Sequence, residues 1–306
     1  MKHVNNRLNN PLWTALITPL TDSGRPDLEG LQRLLREQEE AGNGVLILGS
    51  TGESLNLDEE ERKLIVRYTV SLKLDIPIMV GVGGHHLPGV ASWLYFLESQ
   101  KVDAYLMVTP IYSKPGPEGQ YHWFKTLLDL VTRPVMLYNI PKRTGIALHL
   151  DAVSRLHTHK NFWAIKEASG SVDDFREYKA VCGDVQLYSG DDLMLPDFAP
   201  HGACGVVSVA GNVWPAATRL YSEMALAGEL SEEDRTFWKR TSNELFVAPN
   251  PVPAKAVMHR EGRIRTPNVK LPLHADDMNS LDRLIRLSEE VREWHGKRSH
   301  AGLSVS

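Results

Sequence analysis

Short apolar runs alternate with longer mixed segments along the first two thirds of the chain. Eight runs are almost continuously apolar and rich in β-branched residues: LWTALIT, VLILG, IPIMVG, AYLMVT, PVMLYN, FWAIK, VQLYSG and CGVVSV. Such continuity is typical of parallel strands buried on both faces, because half-exposed strands alternate apolar with polar residues. Each gap is long enough for a crossover helix. The pattern therefore predicts eight consecutive β/α units.

Apolar residues at helical spacing fall in the gaps between these runs. The predicted helices include 28–41 and 58–72, and in the second Asp58 is the expected N-cap while Leu64 and Ile65 belong to the buried face. Eight β/α units in a row predict an α/β fold, a closed (β/α)8 TIM barrel. A doubly wound open sheet is the competing architecture.

The pattern becomes purely helical from about Trp214 onward. Further helices are predicted at 218–226, 232–246, 254–259 and 278–294. We therefore divide the chain into a barrel core with the active site, residues 1–213, and residues 214–306, which supply the final barrel helix and a C-terminal helical subdomain.

Composition and charge narrow the functional classes. The 306 residues are 42% hydrophobic and 24% charged, with a net charge of −4, so no basic surface for nucleic acid is expected. No apolar run approaches the ~18 residues of a membrane span, and the N-terminal residues lack the apolar core of a signal peptide. Cys182 and Cys204 are too few for a disulfide framework and are expected to be reduced thiols. A cytoplasmic protein without membrane or nucleic-acid partners is predicted.

Polar residues follow the apolar runs, and in a barrel the strand ends meet at one mouth. Lys166 directly follows an apolar run, so desolvation should lower its pKa and make the amine a nucleophile for a ketone. The alternative is a lysine that extends into solvent or pairs with Glu167 or Asp191.

Hydroxyl groups surround the same predicted mouth. Tyr138 and Tyr112 are candidates to relay protons if Ser50 or Thr51 polarises them, although each could be a half-buried aromatic with its hydroxyl in water. Glycines on both sides of Ser50 and Thr51 either free their backbone amides to bind a small carboxylate or simply form a tight turn. Arg143 could bind a second carboxylate or be solvated.

Six motifs occur in order along the chain: GSTGES at 49–54, TPIYSKP at 109–115, YNIPKRTG at 138–145, IKEASG at 165–170, SGDD at 189–192 and GVVSV at 205–209. Together they resemble the dihydrodipicolinate synthase and N-acetylneuraminate lyase family of class I, Schiff-base aldolases. The resemblance runs from about Trp13 to Leu273, and so many ordered motifs make it specific.

The resemblance implies a role for each candidate residue. Lys166 forms an imine with pyruvate, while Tyr138, Tyr112 and the hydroxyl of Ser50 or Thr51 relay the proton. The substrate-binding positions are Thr51, Arg143, Val207 through its carbonyl, and Gly190. It also implies that Tyr112 acts in the neighbouring subunit of a homodimer or homotetramer. Neither a cofactor nor a metal ion is expected.

Arg143 and Tyr112 make the chain more similar to the synthase branch of the family. The aldehyde of that branch, L-aspartate 4-semialdehyde, carries a carboxylate that Arg143 can hold. The implied reaction is its condensation with pyruvate to 4-hydroxy-tetrahydrodipicolinate, in lysine and diaminopimelate biosynthesis. Ser50 stands where these synthases mostly have threonine, so N-acetylneuraminate lyase or another 2-oxo acid aldolase is the alternative.

Two other functional classes fit the sequence less well. A metal-dependent barrel hydrolase would need a His-x-His at an early strand end, whereas His157 and His159 follow the fifth run. A catalytically inactive family member is disfavoured because the lysine, both tyrosines and the arginine are all present.

Overall fold

Eight parallel strands form a closed barrel in the computed structural model, which describes residues 6–303. The strands are β1 (Leu12–Ala15), β2 (Gly44–Ile47), β3 (Ile78–Val82), β4 (Ala104–Val108), β5 (Val135–Asn139), β6 (Phe162–Glu167), β7 (Gln186–Ser189) and β8 (Ala203–Ser208). Each strand pairs with the next along the chain, and β8 closes on β1, where Val207 lies opposite Trp13. The predicted TIM barrel is confirmed, and the open-sheet alternative is wrong.

Thirteen α-helices lie within the described residues. They are α1 (Leu28–Glu40), α2 (Glu59–Ser71), α3 (Leu87–Glu98), α4 (Pro117–Asp129), α5 (Pro141–Thr144), α6 (Leu150–Leu156), α7 (Val172–Val181), α8 (Leu195–Phe198), α9 (Ala210–Val213), α10 (Pro215–Ala227), α11 (Glu232–Glu244), α12 (Val252–Arg260) and α13 (Asp282–Leu303). Short 3-10 turns occur at Asn6–Leu8, Ser54–Asn56, Ala199–His201 and Ala275–Asp277. No helix in this part of the chain is long and apolar enough to cross a bilayer.

Helix α2 begins as its sequence predicts. The Asp58 side chain accepts a hydrogen bond from the backbone N–H of Glu61 at 2.7 Å, and the Glu61 carboxylate accepts one from the N–H of Asp58 at 3.1 Å. The predicted burial of Leu64 is wrong, because its side chain is 39% exposed. The buried face passes instead through Ile65, Val66 and Thr69.

Helices α10 to α13 confirm the helical character of the C-terminal region. Helix α10 packs against β8 and β1 as the last helix of the barrel layer. The indole N–H of Trp214 donates to the Ser288 hydroxyl at 2.9 Å, which joins this layer to α13. The division of the chain at residue 214 stays a prediction.

Large side chains fill the barrel at the N-terminal ends of its strands. Trp163 packs edge-on against Trp13 and Tyr188, with ring centroids 5.9 and 5.7 Å apart. The Tyr188 hydroxyl donates to the carbonyl of Leu8 at 3.4 Å, and Leu8 is itself buried in the same cluster. This end of the barrel is closed, so a site inside the barrel must open at the opposite end.

Candidate active site

A cavity of about 280 Å³ opens at the C-terminal ends of the barrel strands. Among the predicted site residues Ser50, Tyr138 and Arg143 line it, together with apolar side chains that include Leu55 and Val108. A larger depression of about 790 Å³ lies between α11 and α13 and contains none of the candidate residues. The smaller cavity has the position and polarity of a barrel active site.

Lys166 is buried near the end of β6, with only 5% of its surface exposed. Burial and, to a smaller extent, the nearby positive charge of Arg143 together lower the pKa of its amine to about 7, although the charges of Asp192 and Asp191 oppose this shift. A lysine that extends into solvent is therefore ruled out. At neutral pH a large fraction of the amine is unprotonated and nucleophilic.

Tyr138 lies directly beside this lysine. The two residues are opposite each other in the β5–β6 ladder, and the Lys166 Nζ lies 4.2 Å from the centroid of the Tyr138 ring. Burial raises the pKa of Tyr138 to about 12, although the charge of Arg143 partly offsets this effect. The phenol is therefore protonated at neutral pH and can donate a proton next to the amine.

Gly190 leaves room for the lysine side chain. A Cβ at this position would lie 2.6 Å from the Cβ of Ala168 and 2.9 Å from the Cε of Lys166. Any larger residue would force the Lys166 side chain or Ala168 to shift. Val207 lies in β8, buried in the same interior cluster as Tyr138. Neither Gly190 nor Val207 lines the cavity itself.

The hydroxyls of Ser50 and Thr51, which the sequence leaves as alternatives, have different surroundings in the loop 49–54 after β2. Ser50 is exposed and lines the cavity. Thr51 is buried, and its hydroxyl oxygen accepts a hydrogen bond from the side-chain amide of Asn250 at 2.9 Å. Ser50 is therefore the better placed of the two to contact a substrate.

Tyr112 is not brought to the cavity of its own chain. Its side chain is 90% exposed, and its backbone has a φ of +66°, which is unfavourable for a residue with a side chain. Its neighbour Ile111 lines the cavity, but Tyr112 does not. Strained backbone at an exposed aromatic residue is common where a functional contact compensates for it.

Asn139 and Glu167 are neighbours of the site that the sequence analysis did not assign. They follow Tyr138 and Lys166 and lie opposite each other in the same ladder. The Asn139 amide donates to the Glu167 carboxylate at 2.6 Å, and the N–H of Ser169 donates to it at 2.6 Å. This pair joins β5 to β6 just beyond the lysine and tyrosine. Because successive strand residues face opposite sides, a polar residue directly after each of Tyr138 and Lys166 should face outward from the barrel. That pattern could have revealed the pair in the sequence.

His157 and His159 lie beyond α6, away from the cavity, and contact the carbonyl of Ser154 and the carboxylate of Asp129. Within residues 6–303, no three His, Cys, Asp or Glu side chains come together as a metal site requires.

Comparison with known proteins gives one consistent result. The family model described as "Dihydrodipicolinate synthetase family" matches residues 9–289. The 4-hydroxy-tetrahydrodipicolinate synthase of Wolbachia pipientis subsp. Culex pipiens (strain wPip) is 44% identical over 284 residues, which cover 92% of this chain and 96% of that protein.

Solved structures agree with this result. The structure of 4-hydroxy-tetrahydrodipicolinate synthase from Methylacidiphilum fumariolicum SolV superposes with a TM-score of 0.86 at 31% identity, covering 94% of this chain and 98% of that one. The dihydrodipicolinate synthase of Acinetobacter baumannii complexed with pyruvate gives 0.83 at 29% identity, covering 94% and 99%.

Proposed function

Because the chain belongs to the dihydrodipicolinate synthetase family, we propose that it condenses pyruvate with L-aspartate 4-semialdehyde through a Schiff base on Lys166. The product is 4-hydroxy-tetrahydrodipicolinate, an intermediate on the route to diaminopimelate and lysine. The observation that carries the proposal is the buried amine of Lys166, whose pKa of about 7 suits it to attack a ketone at neutral pH.

The reaction begins when the neutral amine of Lys166 attacks C2 of pyruvate. Loss of water leaves an imine, and removal of a proton from the methyl carbon gives an enamine. The enamine carbon attacks the aldehyde carbon, forming the new C–C bond. The amino group of the semialdehyde then attacks C2, closes the ring and releases Lys166 as the free amine.

Tyr138 is assigned to the proton transfers. Its phenol donates a proton when the first adduct loses water and takes one back as the imine becomes the enamine. The Ser50 hydroxyl, which lines the same cavity, is assigned to polarise this phenol, and Tyr112 of a neighbouring subunit completes the relay. Support for these roles comes from the contact of Tyr138 with Lys166 and from the place of Ser50 in the cavity.

Binding of the two carboxylates is assigned to opposite parts of the mouth. The backbone amides of loop 49–54, including that of Thr51, hold the carboxylate of pyruvate, with the Val207 carbonyl and Gly190 beside the bound molecule. Arg143 holds the carboxylate of the aldehyde, since this residue lines the cavity and a guanidinium can form two parallel hydrogen bonds with a carboxylate.

The assembly is proposed to be a homodimer or homotetramer. Tyr112 is exposed and outside its own cavity, which is the arrangement needed to enter the site of a partner. The cytoplasm is the proposed location, in keeping with the unpaired thiols of Cys182 and Cys204.

An assay with the purified protein tests the activity directly. Pyruvate and L-aspartate 4-semialdehyde should be consumed together, and N-acetylneuraminate should not be cleaved in a parallel reaction. Cleavage of N-acetylneuraminate with no turnover of the semialdehyde would overturn the proposal in favour of the lyase activity.

Replacement of Arg143 should separate the two substrates. Arg143→Ala should raise the KM for the semialdehyde about 10- to 100-fold, the effect of losing one charge-assisted contact, and change that for pyruvate much less. Lys142→Ala is the matched control, because it removes the neighbouring positive charge without altering the cavity lining. An equal rise for both substrates would show that Arg143 does not recognise the aldehyde.

Mixing two inactive variants tests the role of Tyr112 across an interface. Tyr112→Phe and Lys166→Ala should each be nearly inactive alone, because each lacks one catalytic group. Co-expressed subunits should regain activity, since a hybrid contains one site with both groups intact. Hybrids isolated by two affinity tags that stay inactive would contradict the assignment.

A further inference from the structure

Three residues of the C-terminal region converge on the loop 49–54, far from them in sequence. The Asn250 amide donates to the Thr51 hydroxyl at 2.9 Å, and the Lys255 Nζ lies 2.5 Å from the Glu53 carboxylate. The backbone N–H of Lys270 donates to the second carboxylate oxygen of Glu53 at 2.6 Å. Residues 250–270 therefore contact this loop through Thr51 and Glu53, neither of which lines the cavity.

The ion pair of Glu53 and Lys255 is almost completely excluded from solvent. The side chains of Glu53 and Lys255 are 1% and 0% exposed, and the Lys255 Nζ has a second acceptor in the Asn268 carbonyl at 2.7 Å. Burying two charges costs so much hydration that an apolar pair of similar volume is often at least as stable. Stability alone is therefore a poor reason for this pair.

Glu53 also has an unusual backbone. Its φ of 56° and ψ of 30° lie in the left-handed region, which a residue with a side chain adopts only when its surroundings hold it there. Its N–H donates to the Ser50 carbonyl at 3.1 Å and closes the turn around Ser50. The two hydrogen bonds to its carboxylate thus hold the residue that shapes this turn.

We propose that Glu53, Lys255 and Asn250 are positioning residues that hold the loop 49–54 in the shape that binds the carboxylate of pyruvate. The inference rests on the proposed function, and it adds that residues outside the barrel control the affinity for the first substrate. Without the pair, Glu53 leaves the left-handed conformation and the amides around Ser50 lose their alignment.

The test is the pyruvate concentration that half-saturates borohydride trapping on Lys166, measured with no aldehyde present. Lys255→Met keeps the length of the side chain and removes its charge, and it should raise this concentration about tenfold or more at unchanged trapping at saturation. Lys270→Met is the matched control. It removes a lysine from the same segment whose Nζ pairs with Glu61 at 2.8 Å, while the backbone contact with Glu53 stays. It should shift the value less than about twofold, because Glu61 lies in helix α2 and outside the loop 49–54.

Thermal unfolding of each variant separates positioning from stability. A Lys255→Met protein with a lower Tm and unchanged half-saturation would overturn the inference, because the pair would then be structural only. If Lys255→Met does not fold, Asn250→Ala decides, since it removes one neutral contact with Thr51 and leaves the ion pair. A several-fold higher half-saturating pyruvate concentration in Asn250→Ala supports the inference, and an unchanged concentration overturns it. Trapping without turnover of the semialdehyde would refute the proposed function alone.

Discussion

Borohydride added with pyruvate should modify Lys166 and no other lysine, because reduction turns the imine into a stable secondary amine. Peptide mass analysis locates the added group. Lys166→Ala should lose the labelling and lower kcat/KM by on the order of 10³-fold or more, the scale seen when a covalent nucleophile is removed. Lys142→Ala, a change at an exposed lysine close to the cavity, should leave both the labelling of Lys166 and kcat/KM unchanged. Labelling of a different lysine would exclude the proposed mechanism.

The rate of trapping should depend on pH with a midpoint of about 7. Below the midpoint the amine is protonated and has no lone pair for attack, so the rate falls as pH falls; above it the neutral amine predominates. Because the charge of Arg143 lowers the pKa of Lys166, Arg143→Ala should move the midpoint to higher pH. A midpoint near the ordinary lysine value of 10.5 would show that the burial of the amine has no such effect.

Tyr138→Phe should lower kcat by about 10²- to 10⁴-fold, the usual contribution of a general acid–base group. The substitution removes only the hydroxyl, so pyruvate binding should change little. Tyr188→Phe is the matched control, because Tyr188 is also opposite Lys166 in the ladder but directs its hydroxyl to Leu8 at the closed end. Its kcat should stay within about threefold. Comparable losses in the two variants would indicate a packing effect and contradict a proton relay at Tyr138.

The barrel was predictable because its strands are buried on both faces. A parallel strand such as β6 is a continuous apolar run that ends abruptly at Lys166 and Glu167. This pattern can be recognised in the sequence alone, without knowledge of the tertiary structure. Four-residue helices such as α5 were not predicted, because one helical turn has no apolar periodicity to detect. Leu64 and Ile65 show a further limit: adjacent apolar residues do not reveal which of them faces the core.

The candidate site was predictable only where a residue lies at or shortly beyond the end of its own strand. Lys166 and Tyr138 lie near the ends of β6 and β5, and Arg143 lies in α5, which follows β5. The contact of Glu53 with Lys255 joins residues 202 positions apart, and no local pattern encodes such a pair. The choice between the hydroxyls of Ser50 and Thr51 likewise depends on Asn250, which reaches Thr51 from the C-terminal region.

The closed end of the barrel restricts the route by which substrates and product enter and leave the site. Among residues 6–303, Leu8, Trp13 and Trp163 close the barrel below the site, so we expect reactants to enter and leave through the opening at the other end. A semialdehyde that arrived first would stand between pyruvate and the amine. We therefore expect pyruvate to bind first and the cyclic product to depart before the next pyruvate enters. We also expect a high concentration of the aldehyde to slow its own conversion.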